Sequence, residues 1–340
     1  MAEKSFIYVK KSIRISVFGG GLWGTVLANQ LSQGRAGRQV KLWEYFPQLA
    51  SDLEKTRRHK YIPGFRLDDG VRVGSDMAWA AHDAELLLFV LPSTFIRRTA
   101  RAVAKVSGGA KPVIVNASKG LEPGSLKTMG DVLAEEFKTR SVYTLSGPSF
   151  AREVARGVPT KMLLGGPKGP QSEKVRRLFD GGALKVSSWP DRKGVELGGS
   201  LKNALAIGAG ALDGLKAGAN TKAALIVQGM AEMSALIRKC GGRADTIYGL
   251  SGLGDLIATG TSPESRNRAF GEKLGAGKSL QQALREIPTV VEGIEAAAAA
   301  RALIRRLKVK APLLEAIWAA VHDERPAGIV LQALGFDSKE

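Results

Sequence analysis

The sequence predicts an α/β protein in which a mostly parallel, helix-covered sheet domain is followed by an all-α helical domain. Three observations carry this prediction. The β-branched run IRISVF (13–18) leads straight into the glycine-rich GGGLWG and then into TVLANQLSQ, whose apolar residues recur at helical spacing. Short apolar runs then alternate with helical segments to about residue 190, the pattern of strands joined by crossover helices. Beyond that point nearly everything is rich in alanine and leucine at helical period. With 340 residues, 44% of them hydrophobic, the chain exceeds what one core usually holds.

In chain order, QVKLWE makes the second strand and ends at Glu44. ELLLFVLP (85–92), KPVIVNASKG (111–120) and SVYTLSGPSF (141–150) are further buried strands, each closing on small or polar residues. FIRRTARAVAKV and LKTMGDVLAEEF supply helices between them. The polar, proline-containing SSWPDRKG ends this region, so the domains are drawn at 1–190, for dinucleotide binding, and 191–340, for substrate binding and catalysis. The helices of the second domain are GVELGGSLKNALAIGAGAL, TKAALIVQGMAEMSALIRKC, SLQQALREI, EGIEAAAAARALIRRL and PLLEAIWAAVH.

Composition excludes several classes. The net charge is +18, with a balance of +14 on residues 1–190 and +4 on the rest. Such an excess attracts polyanions: nucleic acid, an acidic membrane or a phosphorylated small molecule. The basic residues stand singly or in pairs, with no nucleic-acid-binding signature around them, so no nucleic-acid partner is expected. A single cysteine, Cys240, leaves no disulfide partner and no cysteine cluster for a metal, which suits a reducing compartment. No signal-length or membrane-spanning apolar run occurs, so the expectation is a cytoplasmic enzyme with a small phosphorylated substrate and no membrane span, assembled as a homodimer.

Gly19, Gly21 and Gly24 form G-x-G-x-x-G between a strand and a helix, the arrangement of a Rossmann-type dinucleotide site. One glycine permits the turn, the next lets backbone approach a pyrophosphate, and the third lets helix pack on strand. The helix start, Leu22 and Trp23 included, offers free N–H groups to the phosphates. Glu44, twenty positions after Gly24 at the end of the second strand, is placed to accept hydrogen bonds from the adenosine ribose, which favours NAD over NADP.

The acid–base group follows by exclusion. His59, His82 and His322 do not follow strands of the sheet, no tyrosine is followed four residues later by lysine, and metal ligands are lacking. Lysine remains. Lys202 shares its helical face with Gly198, Gly199 and Ala206 beside a stripe of Leu197, Leu201 and Leu205, so it stands in a shallow trough. Two interior glycines cost roughly 1 kcal/mol each, and close approach of a ligand would justify them. An ammonium in a low-dielectric cleft near another cation has its pKa lowered toward neutrality, as a general base requires. The alternative is a lysine whose stem packs while its head reaches water.

The motifs GGGLWGT, ASKGLE, SGPSFAREVARGVPT, LGGSLKNALAIGAGALDGL, SGLGDLIAT, SRNRAFGEKLG and VVEG, in this order, closely resemble the NAD(P)-dependent glycerol-3-phosphate dehydrogenases of the bacterial type, from about Ile13 to the last helices. The resemblance implies interconversion of sn-glycerol 3-phosphate and dihydroxyacetone phosphate, with the active site between two domains, supplying glycerol 3-phosphate for glycerophospholipid synthesis. It implies that Lys202 is the general acid–base, that Lys119 contacts substrate and cofactor, and that Asn203 and Asp255 orient lysine and substrate. Ser265, Arg266 and Asn267 match the clamp on the substrate phosphate, Arg266 also reaching the cofactor. Gly147, Ser149 and Ala151 match a stretch lining substrate and cofactor, and Val290 and Glu292 a cofactor loop. The chain departs from the pattern at Leu22, where a small residue is common, and at Ser118, where threonine is usual. Two other classes share some of these features: a lysine-dependent 3-hydroxyacid or 6-phosphogluconate-type dehydrogenase, and a dinucleotide-sensing regulator that binds nucleic acid.

Overall fold

The computed structural model describes residues 12–33, 37–108, 111–287 and 290–337. The first eleven residues, part of the stretch read as free of a signal segment, lie outside it. The chain packs as two compact units, residues 1–91 with 98–115 and residues 92–97 with 116–340.

The first unit is built on β1 (Ile13–Phe18), β2 (Arg38–Trp43), β3 (Val71–Gly74), β4 (Leu86–Phe89) and β5 (Val113–Asn116), in the order β3-β2-β1-β4-β5. β1 runs parallel to both β2 and β4, and β2 runs parallel to β3. Ile15, Val17, Phe18, Leu86, Leu87, Leu88 and Phe89 are all buried, as expected of strands covered on both faces. The order reverses at β1, whose successor in sequence lies to one side and β4 to the other. A crevice opens at such a switch point beyond the carboxyl ends of the strands.

The second unit contains β6 (Val142–Ser146), β7 (Thr160–Gly165) and β8 (Leu184–Trp189), in which β7 is antiparallel to β6 and parallel to β8. After Trp189 the described residues contain helices and no strand. Sequence periodicity locates β1, β2, β4, β5 and β6 but passes over β3, β7 and β8. β3 has only four residues, and each of the three carries an outward basic residue, Arg72, Lys161 or Lys185, that interrupts its apolar run.

The helix Arg192–Gly214 is buried from Gly194 to Leu212 on every face, which makes it the axis of this unit. Asp191 starts it by accepting from the Gly194 N–H at 2.9 Å. Its small residues let a second helix, Arg266–Gly275, cross at backbone contact: a β-carbon on Gly210 would stand 1.9 Å from the Arg268 carbonyl oxygen, and one on Gly271 1.9 Å from that of Ile207. This crossing brings Asn267 against Asn203.

Candidate active site

In the first unit the glycine turn leaves β1 at its carboxyl end. Gly19 has φ +122, and a β-carbon there would meet the Val90 carbonyl oxygen at 2.2 Å; one on Gly24 would meet that of Gly19 at 1.8 Å. Gly21, in contrast, has nothing within 4 Å of its β-carbon position, and it begins the helix Leu22–Ser32 with no side chain capping the N–H groups. Open space beside uncapped amides at a helix N-terminus fits a pyrophosphate. Leu22 and Trp23 are half-buried at the same helix start.

The Glu44 carboxylate lies against this turn. A β-carbon on Gly20 would stand 2.5 Å from its Oε2, and its Oε1 accepts from the Phe46 N–H at 3.0 Å. Tyr45 and Phe46 are exposed beside it. His59, set aside by the sequence reading because no strand precedes it, also reaches the turn by hydrogen bonding with the Gly20 backbone, and burial lowers its pKa.

The second unit gathers the proposed reacting groups. Lys202 is buried, its side chain 4% exposed, so its head does not reach water. Its Nζ donates to Asp255 Oδ1 at 2.8 Å and to Thr259 Oγ1 at 2.5 Å. Lys119 Nζ donates to the other oxygen of the same carboxylate, Asp255 Oδ2, at 2.5 Å. Asp255 reaches this position through a wide turn over Leu250–Gly254, closed by Gly254 N–H donating to the Gly249 carbonyl five residues back at 3.1 Å.

Electrostatics here pull in opposite directions. Burial lowers the Lys202 pKa most, the Asp255 charge raises it and the Lys119 charge lowers it again, leaving it at about 8. Burial pushes the Asp255 carboxyl up, but the ammonium groups of Lys119 and Lys202 outweigh burial and hold it below the usual range. A lysine near pH 8 can take a proton as a neutral amine and return it as an ammonium.

Around this center, Asn267 Nδ2 donates to Asn203 Oδ1 at 2.9 Å, and Asn267 Oδ1 accepts from the Gly293 N–H at 2.9 Å. The Glu292–Gly293 segment thus packs on the Lys202 helix, and the Glu292 charge acts on Lys202. Ser265 caps its helix by accepting from the Arg268 N–H at 3.2 Å. Arg266 follows it, exposed, and its side chain pairs with nothing among the described residues. Gly147 and Ser149 follow β6, with Ser149 Oγ donating to the Gly147 carbonyl at 3.1 Å, and Ala151 opens the next short helix. Val290 is exposed.

Two family models match the chain: the NAD-dependent glycerol-3-phosphate dehydrogenase N-terminus over residues 14–169 and the C-terminus over residues 191–332. The chain belongs to this family. A glycerol-3-phosphate dehydrogenase [NAD(P)+] of Moorella thermoacetica is 42% identical over 321 residues, covering 94% of this chain and 95% of its own. The second such enzyme of Lactobacillus delbrueckii subsp. bulgaricus is 38% identical over 333 residues, with 96% and 98% covered. The crystal structure of a glycerol-3-phosphate dehydrogenase from Coxiella burnetii superposes with a TM-score of 0.88 at 32% identity, over 95% of this chain and 98% of that one.

Within the family frame, two features escaped the sequence reading. Thr259 lies one helical turn after Asp255 and touches Lys202; the Asp-to-Thr spacing of four on a helix was the available signal. The sequence suggests room for a ligand at Gly199, but a β-carbon on it would meet Ser146 Oγ at 2.5 Å, so the close neighbour is protein. Among the described residues no cluster of metal ligands occurs, and no helix is long and apolar enough to cross a membrane.

Proposed function

We propose that the chain interconverts sn-glycerol 3-phosphate and dihydroxyacetone phosphate as an NAD(P)-dependent dehydrogenase, with Lys202 as general acid–base. The observation that carries this reading is the buried Lys202–Asp255 pair, with the partly exposed Lys119 on the second carboxylate oxygen, within a chain of this family. The glycine turn and Glu44 are the residues that would hold the dinucleotide, which when bound accepts or supplies the hydride at C2.

The chain's own groups do the rest. In oxidation the neutral amine of Lys202 takes the C2 hydroxyl proton; in reduction the ammonium returns one to the C2 oxygen. Asp255 and Thr259, whose accepting oxygens stand 3.2 Å apart, together fix the Lys202 head. Lys119 adds positive charge beside the forming alkoxide. Arg266, exposed and unpaired among the described residues at the start of a ten-residue helix, grips the substrate phosphate, aided by the positive helix end. The product serves glycerophospholipid synthesis in the cytoplasm, a setting that the single free cysteine suits. A homodimer is part of the same proposal, and sedimentation at micromolar concentration tests it.

Initial rates with dihydroxyacetone phosphate and NADH or NADPH test the activity. The expected result is saturable turnover of this substrate over a panel of 3-hydroxyacids and 6-phosphogluconate. Turnover of a hydroxyacid without dihydroxyacetone phosphate would overturn it.

A further inference from the structure

The helix that carries Lys202 also carries the atoms that hold the Lys119 loop. Asn116, fully buried at the end of β5, grips the next turn: its Oδ1 accepts from the Ser118 N–H at 3.0 Å, and its Nδ2 donates to the Ser118 carbonyl at 3.0 Å and to Glu196 Oε1 at 3.1 Å. Glu196 is itself buried and fully engaged. Its Oε1 also accepts from the Gly130 N–H at 2.7 Å and Thr144 Oγ1 at 2.8 Å, while Oε2 accepts from the Arg192 guanidinium at 2.6 Å. A buried carboxylate is held in one place when every neighbour is satisfied in this way.

One turn further along the helix, Ser200 Oγ donates to the Glu196 backbone carbonyl at 2.7 Å. That uses its only proton and leaves a lone pair for the Gly120 N–H, which donates to it at 2.8 Å. Gly120 has φ +127 and would place a β-carbon 2.8 Å from that of Ser93, so the loop has little freedom to find another path. Ser118 and Gly120 flank Lys119. The loop is therefore pinned on both sides of this lysine, to positions 196 and 200 of the helix that carries Lys202 half a turn further on.

We propose that Ser200, backed by Glu196, is a positioning residue: its hydroxyl fixes the Lys119 loop so that Lys119 and Lys202 share the Asp255 carboxylate. The proposal rests on Lys202 being the acid–base. The charged groups acting on Lys202 are Asp255, Lys119 and Glu292. Withdrawing Lys119 removes a repulsion and leaves Asp255 to Lys202 alone. Both changes favour the ammonium, so the rise of oxidation rate with pH moves to higher pH.

The test is kcat against pH for glycerol 3-phosphate oxidation in the wild type, Ser200→Ala, Lys119→Met and the double variant, with melting temperatures to verify folding. Ser200→Ala is expected to lower kcat about 5- to 20-fold and to move the rise upward by roughly half a pH unit, since a buried N–H loses its acceptor. In the Lys119→Met background the same change should add little, the non-additivity of residues that act through one another. Ser200→Thr, which keeps the hydroxyl, should restore the wild-type profile. An unmoved profile in Ser200→Ala, or an equal shift in both backgrounds, overturns the positioning role while leaving the lysine pair intact. An unmoved profile in Lys119→Met overturns the pair itself, and this inference with it.

Discussion

Lys202 and Thr259 meet inside the second unit at 2.5 Å, nitrogen to hydroxyl oxygen, and the hydroxyl in turn donates to the Asp255 carbonyl at 2.6 Å. The threonine proton is therefore committed to backbone, and its oxygen faces the lysine as an acceptor. An acceptor of this kind favours the ammonium and fixes the direction of the head.

Thr259→Val keeps the shape and removes that acceptor. We expect kcat to fall about tenfold, the cost of one buried hydrogen bond, and the oxidation rate to rise at lower pH than in the wild type, because the ammonium loses support. A profile displaced to higher pH would contradict the role given to Thr259.

The pH dependence of the wild type follows from the Lys202 value of about 8. Oxidation needs the neutral amine, so its rate should climb through about pH 8; reduction needs the ammonium, so its rate should fall through the same range. Initial rates in both directions from pH 6 to 10 check this. Two limbs of the same sign would be inconsistent with one group serving both directions.

Arg266 is exposed and its side chain pairs with nothing among the described residues, as a residue awaiting an anion should be. Arg266→Ala is expected to cost roughly 2 to 4 kcal/mol in kcat/KM for dihydroxyacetone phosphate, combining a lost charged hydrogen bond with poorer positioning. Unphosphorylated dihydroxyacetone should be nearly indifferent. Equal loss on both substrates would assign Arg266 to structure or cofactor instead.

Glu44 lies against the glycine turn, and the role proposed for it there is to accept hydrogen bonds from the ribose hydroxyls and to repel a 2′-phosphate. NADH should be preferred over NADPH, and Glu44→Ser should narrow or reverse the preference. Comparison of kcat/KM for the two cofactors decides it, and a wild-type preference for NADPH would show that Glu44 does not set the choice.

Much of this was legible in the sequence because it is local. The turn Gly19–Gly24 and its flanking strand and helix are contiguous, and Glu44 follows at fixed spacing. The buried state of Lys202 could be read from the leucines and glycines around it. Its partners could not be read from local pattern. Lys119 and Asp255 are 136 positions apart, and the wide turn over Leu250–Gly254 that aims Asp255 has no periodic signature. The resemblance to the family supplied those partners, whereas Thr259 and Ser200 emerged only when the helices were packed. Gly199 illustrates the same limit: sequence shows that a side chain is unwelcome there, and only packing shows that Ser146 is the reason.

The central claim is that the buried amine of Lys202 moves the proton. It is tested most directly by kcat of Lys202→Met in a variant shown to be folded and to bind NADH with nearly wild-type affinity. A loss of at least ~10²-fold is expected. Retention of more than about a tenth of the wild-type kcat would contradict it, because general acid–base catalysis ordinarily contributes more than that.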